Sequence, residues 1–117
     1  MSAKEAVEAC SSAVIQRGLD DWVDAAEVAW VARAIGAATA DDEARELSIE
    51  VIRNVLTRGW MTIGDVTTAG YTPWSLDVEA SVERVRQGWI GSSQPKIGDV
   101  CWLSNTETGD EIARGST

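Results

Sequence analysis

Cys101-Trp102-Leu103-Ser104-Asn105-Thr106-Glu107-Thr108-Gly109-Asp110-Glu111-Ile112-Ala113-Arg114 is the stretch whose reading decides the fold. Its apolar start, bounded by Gly98-Asp99 before it and Thr106 after it, reads as a strand over Val100 to Ser104. A threonine follows, then a glycine three residues on, then a short amphipathic segment, which together read as the start of a helix. A strand needs a partner. Trp60 to Ile63, within a second apolar run from Trp60 to Val66, is the antiparallel partner expected. Trp102 stands in the middle of the first run and is expected to lie at least partly in the core.

Before these runs the apolar period is that of helices. Ser2 and Glu5 make a capping box, and Ala6, Val7, Cys10, Ala13 and Val14 repeat at helical spacing. They predict a first helix over residues 3–17, with Gly18 as its C′ residue. Leu19 to Val23 has room for a brief strand. Asp24 with Glu27 caps a second helix from Ala25 to Ile35, and Val23 and Val28 staple its start. Val28, Val31 and Ile35 mark its apolar face, widened by Ala26 and Trp30. Thr39 or Asp41 caps a third helix ending near Arg58. Its apolar positions are Ala44, Leu47, Val51 and Val55 and, one step round, Ile52 and Leu56.

The segment between the two strands reads as a turn-rich loop, Thr68 to Trp74, and then a fourth helix from about Val78 to Ile90. Asp77 or Ser75 caps that helix, and Val78, Val82, Val85 and Trp89 form its stripe. Gly91 to Pro95 makes a flexible return. Ile-Gly-Asp-Val occurs at 63–66 and at 97–100, a four-residue match that chance explains.

Three helices at this spacing, the third leading into Gly59-Trp60-Met61, with a late strand running into Thr-x-x-Gly, resemble a winged-helix domain. The resemblance implies a mainly α fold with a small antiparallel β-sheet, in one domain over 1–117. In that family the third helix is usually the recognition helix and the wing follows it. This chain departs from the pattern by a helical insert in the wing, at about 67–99. Over most of its length the chain is also similar to a group of small, acidic, uncharacterised bacterial proteins. The residues that carry this are Trp22-Val23-Asp24-Ala25-Ala26-Glu27-Val28, Gly64-Asp65, Pro73-Trp74, and Trp102-Leu103 with Asn105-Thr106-Glu107. That resemblance implies no particular activity.

Composition narrows the function. The 117 residues, 44% hydrophobic and 25% charged, suit one globular domain, for which the radius of gyration is about 13 Å. Six tryptophans with no phenylalanine assign the large core volume to Trp. A net charge of −9 disfavours nucleic-acid backbones and anionic membrane surfaces and permits a basic protein partner. No histidine is present, so Ser-His and Cys-His catalysis are excluded and common zinc sites nearly so. Cys10 and Cys101 make neither a disulfide framework nor a metal pattern. No run approaches a membrane span and the first residues do not read as a signal peptide, so a reducing, cytoplasmic setting is expected.

Candidate chemistry is thin. Capping and solvation explain Asp20, Asp21 and Asp24 better than a metal does. Asn105, Glu107 and Asp110 fail as a calcium loop, since Gly109 stands where an acid is needed. Gly64 and Gly98 belong to no phosphate loop, because neither is followed by Lys-Ser/Thr. Asp41 to Arg58 holds five acids against three arginines, the wrong sign for a groove-reading helix, where only Arg53, Asn54, Thr57 and Arg58 suit base contact. The sequence therefore predicts no catalytic, cofactor or metal site. It predicts a non-enzymatic protein-binding or regulatory module, immunity-like in meeting a basic partner with an acidic face; the alternative is a winged-helix transcriptional regulator binding DNA. The partner-binding residues expected are Asp42, Glu46 and Glu50, at successive i, i+4 positions, with Tyr71 and Trp74 as aromatic anchors unless they pack on the core. Neither nucleic acid nor membrane is expected as a partner, and a homodimer is compatible with the sequence.

Overall fold

The computed structural model describes residues 1–89 and 100–115. A capping box opens helix α1 (Ala3–Arg17): Ser2 Oγ accepts from the Glu5 N–H and the Glu5 carboxylate accepts from the Ser2 N–H. Gly18, expected in a left-handed C′ conformation, is right-handed with φ −66°. A different demand selects it. A Cβ at Gly18 would lie 2.2 Å from Asn105 Oδ1, so only glycine allows this approach. Strand β1 (Val23–Asp24) overlaps the brief strand expected over Leu19 to Val23 at Val23, and Asp24 also caps helix α2 (Ala25–Ala34) by accepting from the Glu27 N–H at 2.9 Å. The buried stripe of α2 is Ala25, Val28, Ala29, Val31 and Ala32. Ile35 and Trp30, placed on that face by the sequence, are 42% and 53% exposed. The small alanines pack closely against the neighbouring helices, so the face turns toward them and carries Trp30 outward.

Helix α3 (Asp41–Thr57) has Ala40 as its N-cap, with no side-chain bond, rather than Thr39 or Asp41. Arg33 donates to Asp41 Oδ1, engaging that carboxylate, and to the Thr39 backbone carbonyl. Strand β2 (Met61–Thr67) follows. The expected loop over 68–74 is instead mostly strand β3 (Gly70–Pro73), a hairpin partner of β2 with Thr67 opposite Gly70. Tyr71 and Thr72 favour extended backbone, which outweighs the turn residues around them. Helix α4 (Val78–Trp89) is capped by Asp77, which accepts from the Ala80 N–H, and buries Val82, Val85 and Trp89 as expected. Ile90, the return at Gly91 to Pro95 and most of the second Ile-Gly-Asp-Val lie outside the described residues.

Strand β4 (Trp102–Asn105) pairs antiparallel with β2, setting Met61, Thr62, Ile63 and Gly64 opposite Asn105, Ser104, Leu103 and Trp102. It also pairs with β1, so the four-stranded antiparallel sheet has the order β1-β4-β2-β3. The expected pairing of the two runs therefore holds. Helix α5 (Glu107–Gly115) then turns back onto α1. Thr106 explains the Thr-x-x-Gly signature. Its hydroxyl donates to the Gly59 carbonyl at 2.6 Å and accepts from the Gly109 N–H at 3.1 Å, tying the helix start to the entry of β2. A Cβ at Gly109 would lie 1.9 Å from the Trp60 carbonyl oxygen, so glycine is required there.

The fold is mainly helical with this small sheet. Its core joins Val14 and Ile15 of α1, Val28 and Val31 of α2, Ile49, Ile52 and Val55 of α3, and the buried faces of the sheet and α4. The radius of gyration is 13.0 Å. The described part of the segment between β2 and β4, β3 and α4, does not project from this body. Helix α4 packs on α3, and Arg86 and Glu79 of α4 pair with Glu46 and Arg53 of α3. No helix among the described residues is long and apolar enough to cross a membrane.

Candidate functional site

Neighbouring side chains of a strand point to opposite faces. In β4, Cys101 and Leu103 are buried at 1% and 0% exposure, so Trp102 between them turns to the other side of the sheet. It is half-buried but lies outside the core cluster, which corrects the expectation that it lies at least partly in the core. The same alternation at β1 buries Val23 and leaves Trp22 38% exposed. On α2, Glu27 and Trp30 stand one turn apart on the outward face. Loop, strand and helix thus bring Trp22, Trp102 and Trp30 to one open groove of about 760 Å³.

Four carboxylates share the groove with these rings: Asp20, Asp21, Asp24 and Glu27. One arginine, Arg17 at the end of α1, is the basic residue among those lining it. Its guanidinium lies 4.8 Å from the Trp30 ring centroid, and its Nε donates to Glu27 Oε2 at 2.5 Å. Trp22 stacks on Tyr71 with ring centroids 6.0 Å apart. Asp21 Oδ1 accepts from the Trp22 N–H at 2.7 Å, fixing the loop that carries the ring. Of the six tryptophans, Trp89 alone is fully buried; Trp60 and Trp74 pack against the core, and Trp22, Trp30 and Trp102 lie outside it.

The expected partner-binding residues fall into three places. Asp42, Glu46 and Glu50 lie along the exposed ridge of α3, but two are held internally. Glu46 accepts from Arg45 at 3.1 Å and Arg86 at 2.7 Å, and Glu50 pairs with Arg53. The Arg86 hydrogen bond, with help from Arg45, holds the Glu46 carboxyl below the usual range. Tyr71 joins the groove through Trp22, donates or accepts a 2.7 Å bond with Thr62 Oγ1, and has its phenol pushed up by burial. Trp74 packs against the core with Arg84 over its ring at 4.0 Å. The structure does not bring Trp74 to the α3 ridge or to the groove.

The residues that suit base contact are likewise engaged within the molecule. Arg53 pairs with Glu79, Asn54 donates to Ser11 Oγ at 2.9 Å, and Arg58 pairs with Glu8 and stacks on Trp60. Both cysteines are buried free thiols, and burial pushes Cys101 up to about 12. Among the described residues no group of three or more Cys, Asp or Glu is placed to hold a metal ion. Sequence reasoning missed the groove because it assigned Trp30 and Trp102 to the core. Alternation at Cys101-Trp102-Leu103 was the signal that could have turned Trp102 outward. No protein-family model matches the chain, and neither a curated protein nor a solved structure does.

Proposed function

We propose that the protein is a non-enzymatic, protein-binding regulatory module that docks a basic partner through the tryptophan groove. The observation that carries this reading is three tryptophans and four carboxylates in one groove against a single arginine. Tryptophan supplies rigid contact area, and the carboxylates steer a positively charged surface toward it. The absence of histidine and the burial of both thiols support a non-enzymatic role. The acidic ridge at Asp42, Glu46 and Glu50 adds long-range attraction rather than contact, because arginines of α3 and α4 already engage two of its three carboxylates.

We further infer a winged-helix architecture, supported by the element order and by β4 lying between β1 and β2. A DNA-binding role for it is disfavoured. Helix α4 covers one flank of α3, the ridge left exposed is acidic, and duplex DNA is bound by neutralising phosphates. The test is the association rate of the co-purified native partner across ionic strengths. The rate should fall with salt, and fall further with Asp20→Asn and Asp21→Asn than with Glu46→Gln and Glu50→Gln. A rate indifferent to salt and to both pairs of substitutions rejects the reading.

A further inference from the structure

We propose that the groove recognises an arginine side chain of the partner, and that Arg17 occupies this subsite as an internal stand-in until the partner displaces it. The inference rests on the basic-partner reading and adds the chemistry of the contact and its regulation. Arg17 already shows what the subsite accepts. A guanidinium lies over the Trp30 ring at 4.8 Å and bonds Glu27 at 2.5 Å. A planar cation suits both contacts at once, stacking on the indole while its edge meets the carboxylate; a lysine ammonium is a point charge and satisfies them less well.

The occupant is weakly held. The Arg17 and Glu27 side chains are 41% and 31% exposed, and ion pairs this open to solvent are of small worth. Trp30 is 53% exposed, so its ring is reachable from outside. An incoming arginine re-forms the contacts that Arg17 gives up, so exchange at Trp30 and Glu27 is close to balanced. What it gains is the rest of the groove, where Asp20 and Asp21 lie beside Trp22 and Trp102. Charge complementarity thus favours a cation over any neutral occupant. Two other tryptophans carry a stacked arginine and an acid: Trp60 with Arg58 and Glu8, and Trp74 with Arg84 and Asp65. Both rings pack against the core, whereas Trp30 stands in the open groove. The Arg17 position is therefore the exchangeable one of the three.

The experiment titrates the full chain with two short amidated peptides, identical except that one carries arginines where the other carries lysines, following tryptophan fluorescence. Arg17→Gln should tighten the arginine peptide by about two- to fivefold, the worth of one exposed stacked cation pair. Adding Trp30→Leu to Arg17→Gln should cancel that tightening, and the lysine peptide should bind more weakly throughout. Lys4→Gln, at the far end of α1, makes the same change in net charge; tightening equal to that of Arg17→Gln would overturn the stand-in by reducing it to bulk charge. Arg17→Lys, which keeps the charge, should fall between wild type and Arg17→Gln. Equal affinity for the two peptides would overturn the guanidinium subsite. Failure of the native partner to respond to salt or to Asp20→Asn and Asp21→Asn would instead overturn the basic-partner reading, so the two failures are distinct.

Discussion

Each groove tryptophan is the sequence neighbour of a fully buried aliphatic residue: Trp22 of Val23, Trp30 of Val31, and Trp102 of Leu103. The two faces of the same elements are therefore built from different material. The inner face is closed by valine, leucine and alanine, and the outer face carries the largest side chains in the chain. Size alone does not decide burial. Pleat and helical turn fix which residue faces inward, and small residues let α2 pack closely. The outer tryptophans are thus not needed to fill the core, which leaves them free for the proposed recognition.

The largest expected effect tests this division on one strand. Leu103→Ala should cost about 2–5 kcal/mol, because Leu103 is fully buried opposite Val23 and Ile63. Trp102→Ala removes a larger side chain yet should cost less, roughly 1–3 kcal/mol, as its ring is only partly buried and lies outside the core cluster. Urea denaturation of both variants checks the order, and equal losses would erase the distinction between the faces.

Gly109→Ala should come next, at about 1–3 kcal/mol, since its Cβ would meet the Trp60 carbonyl oxygen at 1.9 Å and force α5 away from β2. Thermal melting reads it. A stability unchanged from wild type would mean that α5 shifts without cost, and that Thr106 rather than Gly109 fixes the helix start.

These two positions also show how far the sequence could be read. Thr106 and Gly109 were legible because capping is local: the Thr106 hydroxyl accepts from the Gly109 N–H three residues on, whereas the close approach to Trp60 that requires glycine is distant in sequence. The capping box at Ser2 and Glu5 and the stripe of α4 were legible for the same reason. The pairing of the two strands was legible from their apolar runs. The direction of Trp30 was not, because it depends on how closely α2 packs against its neighbours. The cap of α3 was misread because the helix begins at Asp41 itself, after Ala40, and Arg33 engages the Asp41 carboxylate from the preceding helix. The groove was invisible because it joins residues near 20 to residue 102 through β1 and β4, a pairing with no local signature.

The smallest effect separates the acidic ridge from the acidic groove. The Glu46 carboxyl is held below its ordinary value of 4.5, first by the Arg86 hydrogen bond and then by that of Arg45. A carboxyl whose folded value is depressed adds stability at pH above its unfolded value. That contribution is lost as the pH falls through the folded value, so it disappears in the acid range below about 4.5. The side chain is 48% exposed, so solvent screening limits the gain to about 0.5 kcal/mol or less. Glu46→Gln should therefore destabilise the fold slightly at pH 7 and lose that deficit at pH 3. Asp20→Asn, on the exposed loop at the groove, should change stability by less than about 0.5 kcal/mol at neutral pH while slowing partner association. Denaturation curves at pH 7 and pH 3 measure the first, and association rates measure the second. If Glu46→Gln slowed association as much as Asp20→Asn, the ridge would be a contact surface in its own right, and its arginine pairs would open when the partner binds.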